Sequence, residues 1–395
     1  MTSQSSKLKI DRRSFLRWTG ASLIAVVGGT VWRAADQGVF SVGQGPAYEP
    51  WSDWRDKPVD GSLGLVQSAI LASNPHNSQP WLFRVTPTRI DLFADLERNL
   101  GTVDPLRREL HIGVGCALEN LMLAAPAKGY VPRLNLRPDP TDPSLVASID
   151  LKPGVTEVSA LYNAIPKRHT NRGAYDPNRP VTPELLSKLR GLNLEPDVDV
   201  LWFTDENRKQ IGDLMVRGSE ALVSDDEQSR DSFAWWRESW QQLQVRRDGL
   251  TLDAQALPPT IEVAAKILPP FTREQNDEQF VTITRDRLVA TAPAFGLLIA
   301  RNPRDVTQQL HGGRLWQRMH LLATTKGLAM HPLNQVCERA DREATAGLKP
   351  EFTTALATLV GRADWFALMP FRLGYATGVA RPSPRRGVNE VIKQA

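Results

Sequence analysis

Cysteine is scarce in this chain of 395 residues; Cys116 and Cys337 are the only two. They are far apart and each lies in an apolar helical pattern, which points to buried, inert thiols rather than a disulfide framework. Among the six histidines there is no CxxC, HExxH or paired-His spacing, so no metal site is expected. P-loop and G-x-S-x-G signatures are missing, and "GVGCAL" has Leu118 where a dinucleotide fingerprint needs its third glycine. The body also lacks excess positive charge. Residues 1–33 hold Lys7, Lys9, Arg12, Arg13, Arg17 and Arg33 against Asp11 alone. Removing that net five from the overall +4 leaves the remainder at about −1, with no bulk attraction for phosphate backbones. Nucleic acid is therefore not an expected partner. What is present is ordinary for a globular protein: 41% hydrophobic and 23% charged residues, enough chain for one large unit or two domains.

The N-terminus reads as an address. Arg12 and Arg13 precede Phe15, Leu16 and Arg17, and an apolar stretch then runs from Trp18 to Trp32. At about fifteen residues it is short for a membrane span, which usually needs about twenty. The pattern over 1–33 resembles a bacterial twin-arginine (Tat) export signal, implying the Tat translocase as a partner and a periplasmic or outer-face membrane location. "WRAADQG" is a weak candidate for cleavage. Residues 34–60, with Gly, Pro and Trp among charges, read as a surface linker.

Beyond the linker the chain repeats itself. "GVGCALENLMLAAPAKGY" (113–130) and "GRLWQRMHLLATTKGLAM" (313–330) both show helical apolar spacing and an A-x-x-x-G ending, and "PWLFRV" has a loose echo in "VLWFTDENRKQIGDLM". Two α+β units are expected, one over 61–155 and one over 156–395. The second has extra material at about 222–275. There Phe233, Trp236, Trp240 and Leu243 would share one helical face, with Gly249 as the cap. Base rates favour core packing for such a stripe; a lid over a flat ligand is the sharper alternative.

Two stretches carry chemistry. "NPHNSQPW" (74–81) is a poor helix and a poor strand, an ordered loop rich in side-chain donors and acceptors. In "RHTNR" (168–172), Arg168, Thr170 and Arg172 alternate along an extended segment, so two guanidinium forks and a hydroxyl share a face suited to a phosphate monoester. Near the C-terminus, "PSPRR" presents Arg385 and Arg386 on proline-stiffened backbone. A solvated basic turn is the bland reading of both arginine motifs.

Taken together, R-x-T-x-R, N-x-Q-P-W after an apolar helix, Gly327-Leu328 before "HPLNQ", and the C-terminal P-x-P-R-R resemble the flavin-dependent nitroreductases. The leader, the double length and "RRDGLTLD" resemble the fused, Acg-like branch. That resemblance implies an α+β nitroreductase-like fold, with two halves forming an intramolecular pseudo-dimer and a helical lid-like insertion in the second. It implies FMN as cofactor, its phosphate held by Arg168, Thr170 and Arg172 and completed by Arg385 or Arg386, with His169 beside them. Pro75, His76, Asn77 and Ser78 would reach the isoalloxazine, while Asn334 and Gln335 would stand where the family places N–H groups near the ring. NAD(P)H or another donor, a small aromatic acceptor such as a nitroarene or quinone, one site per chain and a monomer follow. A flavin-sequestering protein with a covered cofactor is the rival expectation, and an exported structural protein with a decayed site is a third.

Overall fold

The computed structural model describes residues 31–204 and 206–394. Arg12 and Arg13, on which the export reading rests, lie outside them. The structure is α+β, with two four-stranded antiparallel sheets of the same strand order.

Helix α1 (Glu49–Asp56) and the shorter α2 (Leu63–Ala69) lead into the first sheet. Its strands are β1 (Trp81–Thr86), β2 (Arg89–Ala94), β3 (Tyr130–Leu136) and β4 (Leu145–Pro153), in the order β1-β2-β4-β3. The 20-residue helix α3 (Arg108–Ala127) connects β2 to β3. Because Arg107 is left-handed, α3 is capped from further back, where the Asp104 carboxylate accepts the N–H groups of Glu109 at 3.1 Å and Leu110 at 2.9 Å. In the second half β5 (Val198–Phe203) is followed by a long excursion: α4 (Asn207–Ser224), α5 (Asp226–Phe233), α6 (Trp240–Arg246), α7 (Pro259–Ile267) and α8 (Arg273–Ile283). Strand β6 (Ala294–Ala300), the 20-residue helix α9 (Val306–Thr325), β7 (Ala329–Pro332), helix α10 (Gln335–Ala346) and β8 (Phe366–Gly374) complete it, in the order β5-β6-β8-β7. Even the irregularities match: β2 slips register against β4 at Leu92/Phe93, and β6 slips against β8 at Leu298/Ile299.

The two long helices pack on each other, and glycine lets them do so. A Cβ on Gly313 would lie 2.1 Å from the Ile112 carbonyl and 2.9 Å from Gly115 Cα, closer than any side chain permits. Beside this crossing Glu119 of α3 is clamped by two arginines of α9, Arg314 Nε at 2.9 Å and Arg318 Nε at 2.7 Å, all three buried. Gln317 donates to Asn120 at 2.9 Å and the Trp316 indole to Ser73 at 3.1 Å. Leu118, Leu121, Leu315 and Met319 fill the surrounding core, which both halves share.

Three sequence expectations change here. The presumed linker is partly built in: Ala47, Tyr48 and Pro50 are buried and α1 follows, as a proline in the first turn of a helix allows. The aromatic stripe of the insertion does not lie on one helix, because α5 ends at Phe233 and α6 begins at Trp240. Between them the chain folds back so that Trp236 pairs with Leu250, and Arg247, not Gly249, is the left-handed cap of α6. Finally, the C-terminal tail does not stay with its own half. Val391 and Lys393 bond to both backbone groups of Phe83 at 2.8 Å, covering the free edge of β1.

Candidate functional site

The loop at 74–80 is held in a conformation that costs energy. His76, Asn77 and Gln79 all have positive φ (45°, 56° and 53°), a region that non-glycine residues enter at about 1–2 kcal/mol each. Such strain persists only where surroundings over-determine it, and here they do. The Asn74 side chain accepts the Gln79 N–H at 2.8 Å, and Asn77 donates to the Pro384 carbonyl at 3.0 Å while accepting from Arg385 Nη1. Gln79 donates to the Arg247 carbonyl and accepts the Arg386 N–H, both at 2.8 Å. From the insertion, Gly249 N–H reaches the Asn77 carbonyl at 3.2 Å.

Behind this loop is a small polar recess. Asn77, Arg168, His169, Thr170, Arg172 and Arg385 line it, with Trp51 of α1 as one wall. Residues nearly a hundred positions apart are thus brought together. Arg168 donates to the Leu71 carbonyl at 3.0 Å, but its buried Nε and Nη1 have no partner. Arg385 donates to the Ala72 carbonyl at 3.1 Å and stacks over Trp51 at 4.9 Å, with its Nε also unpartnered. Arg172 makes only a long contact to the Ala254 carbonyl at 3.5 Å. Among the described residues no carboxylate pairs with any of the three. Burial pulls Arg168 down to about 10, Arg172 adding to it, and lowers Arg385 with help from Arg168 and Arg172. The same burial, then the charges of Arg168 and Arg385, hold His169 down at about 3. Buried guanidiniums without counter-charge are costly, and an anion seated among their free N–H groups would relieve that cost.

The recess shares Ser73, Asn74, Thr170 and Arg172 with a larger cavity of about 530 Å³, a volume in the range of small-molecule sites. Pro75 and His76 stand at its border, Phe233, Trp236 and Leu250 of the insertion form an apolar wall, and Asn334 and Gln335 line it too. His76 Nε2 lies 3.2 Å from Ser232 Oγ, and burial, with Arg172 beside it, lowers the ring to about 4. Gln335 donates to Ser219 at 3.0 Å, while Asn334 Oδ1 is left without a partner. Glu109 and Glu338 both line the cavity; burial raises both above the usual carboxylate range, and the charge of Glu109 adds to the rise of Glu338.

Two expected residues fall elsewhere. Arg386 turns away from the recess and braces the loop, donating to the carbonyls of Gln79 at 2.5 Å and Trp81 at 3.2 Å. Ser78 is fully buried under the loop and lines neither space. Sequence reading also missed Trp51 and the glutamate pair. The Glu-Pro-Trp start of α1 was a signal for the first; Glu109 and Glu338 carried none, because only the packing of α3 against α10 joins them.

No family model matches the sequence. Curated relatives do. The chain is similar to nitroreductases of Mycobacterium tuberculosis. It is 26% identical over 338 residues to "Putative NAD(P)H nitroreductase Rv3131", spanning 83% of this chain and 90% of that one. With "Putative NAD(P)H nitroreductase acg" it shares 26% over 352 residues, spanning 85% and 96%. Among solved structures, the FMN and NADPH-dependent nitroreductase NfnB from a Sphingopyxis strain aligns with 60% of this chain and 99% of its own, at 18% identity and a TM-score of 0.39. A nitroreductase-like protein from Bacillus cereus aligns with 61% and 99%, at 14% identity and a TM-score of 0.34.

Proposed function

We propose that this chain is an FMN-binding oxidoreductase of nitroreductase type, passing electrons from NAD(P)H or another donor to an electron-poor acceptor such as a nitroarene or quinone. The observation that carries the reading is the trio Arg168, Arg172 and Arg385, the first and last buried and Arg172 half-buried, all without a carboxylate partner and opening directly into an apolar cavity. A mononucleotide has that duality, a phosphate at one end and a flat conjugated ring at the other. Arg168, Thr170, Arg172 and Arg385 would hold the phosphate. The apolar surfaces of Phe233, Trp236 and Leu250 and the polar edge of the 74–77 loop would border the ring. FMN, when bound, supplies hydride acceptance and release, so no acid–base side chain need carry the redox step. The protein's task is orientation, exclusion of water and fixed donors.

The matching strand orders, paired register slips and crossed long helices support reading the two halves as an intramolecular counterpart of a symmetric dimer. The phosphate-type motif and the N-x-Q-P-W loop each occur once, so one FMN per chain follows. Titration of ligand-free protein with FMN, read by flavin fluorescence and absorbance, should saturate at one equivalent. Failure to bind, or saturation at two, refutes the single-site reading. The covering insertion, tied to the loop through Gly249, favours sequestration as the second reading. Reduction of the bound flavin by NADH or NADPH favours turnover; sluggish reduction even by dithionite favours sequestration.

A further inference from the structure

Helix α7 is amphipathic the wrong way round for a surface facing water. Its two charged residues, Glu262 and Lys266, stand one turn apart and point inward, exposed by only 4% and 8%. Glu262 takes both hydrogen bonds of Arg381 Nη1 at 2.5 and 2.6 Å, and Lys266 pairs with Asp253 at 2.5 Å while reaching the Gly38 carbonyl at 3.3 Å. Apart from Thr260, the outward residues of the helix and of the turn after it, to Phe271, are apolar. Ile261 is 54% exposed, Leu268 61% and Phe271 54%, with Val263 between them partly exposed as well. Surface helices of soluble proteins bury their apolar stripe and show charge to water; this one spends its charges inside, and the resulting patch has no covering element among the described residues.

Two further observations decide what covers it. The first is the neighbour. Arg33 donates from Nε to the Ile267 carbonyl at 2.5 Å and from Nη2 to the Leu268 carbonyl at 3.2 Å, so the residue that follows the apolar run Trp18–Trp32 in sequence is fastened to the C-terminal end of this same helix. Trp32, next to that arginine, is itself exposed, and tryptophan is the residue that settles at membrane–water boundaries. The second is continuity with the cavity. Ile261, Leu268 and Phe271 line the cavity as well as facing out, so they form its rim.

We infer that the face made by α7 and the following Pro-Pro-Phe turn rests on a lipid bilayer, seated beside the apolar N-terminal run, with the rim of the cavity in the lipid surface. The ion pairs of Glu262 and Lys266 keep the helix oriented with its apolar side outward. Contact of this kind draws on buried apolar area, and the N-terminal run supplies a second point of attachment, which stable membrane association ordinarily requires.

The test uses the full chain, leader included, with a reporter at one position. Cys116 and Cys337 are buried, so a new cysteine takes the label selectively. Phe271→Cys and Val155→Cys, the latter an exposed site beyond the end of β4, are each labelled with an environment-sensitive fluorophore and mixed with phosphatidylcholine–phosphatidylglycerol vesicles carrying a lipid-borne quencher. The label at 271 should shift to the blue and be quenched several-fold more than the label at 155. Equal quenching at the two positions would mean that the leader alone tethers the protein, and the inference fails. It fails equally if the label at 271 shifts without vesicles and in proportion to protein concentration, because a second copy would then cover the face.

Discussion

The two halves share a strand order, yet one is spare and the other elaborate. In the first, only Pro87 and Thr88 separate β1 from β2; in the second, the equivalent strands β5 and β6 are parted by five helices. The spare half contributes a strained loop, and the elaborate half contributes arginines and the apolar wall. What the difference teaches is a division of labour: the shared framework fixes where a ligand can sit, and the departures from symmetry decide that it sits in one place.

The comparison is broken most severely at its hinge. Glu119→Ala leaves Arg318 buried without its anion, and Arg314 with Glu195 alone, where the halves cross, which should cost about 3–5 kcal/mol. Urea unfolding should show one transition moved to lower denaturant; two separate transitions would show that the halves stand independently. A subtler contrast lies between two arginines. Arg168→Ala removes a donor from the recess and should weaken FMN binding by about 2–5 kcal/mol, while leaving the ligand-free melting temperature unchanged or raised, since an unpaired buried charge is gone. Arg386→Ala should do the reverse, lowering stability by about 1–3 kcal/mol through lost loop bonds and affecting FMN less. Calorimetry of both variants with and without FMN separates these outcomes.

The smallest effect is on pH. Burial lowers His111, on α3, from 6.5 to about 4, with Gln309 as its hydrogen-bond partner at 2.8 Å. A depressed imidazole contributes stability that is fully present above about pH 6.5 and is lost as pH falls through about 4. Buried Asp104, held at about 7, opposes it, contributing fully below about pH 4 and losing that contribution as pH rises to about 7. His111→Gln should therefore remove a rise in melting temperature between about pH 4 and 6.5, and Asp104→Asn a fall between about pH 4 and 7, so the two substitutions tilt the profile in opposite directions.

Much of this was legible in sequence, for physical reasons that can be named. The long helices announced themselves by periodicity and by the glycines that end them, Gly129 and Gly327, both at positive φ. Asn77, Arg168, Thr170 and Arg172 could be grouped through the resemblance to the flavin-dependent nitroreductases, since the arginine motif alone also reads as a solvated basic turn. The opposite roles of Arg385 and Arg386 could not be read, because a residue's direction in a proline-rich segment depends on what the backbone meets. The division of the Trp-rich insertion into α5 and α6 escaped for a related reason: the turn at 234–239 is set by contact with Leu250, not by a local breaker.

The tail that crosses to β1 also fixes an order of events. The loop around Asn77 is made on the ribosome about three hundred residues before Arg385, Arg386 and Val391, which hold it and cover its strand. Until then the first half emerges with an open sheet edge and an unsupported loop. The recess is thus assembled late, only when the segment around Arg385 folds back on the loop.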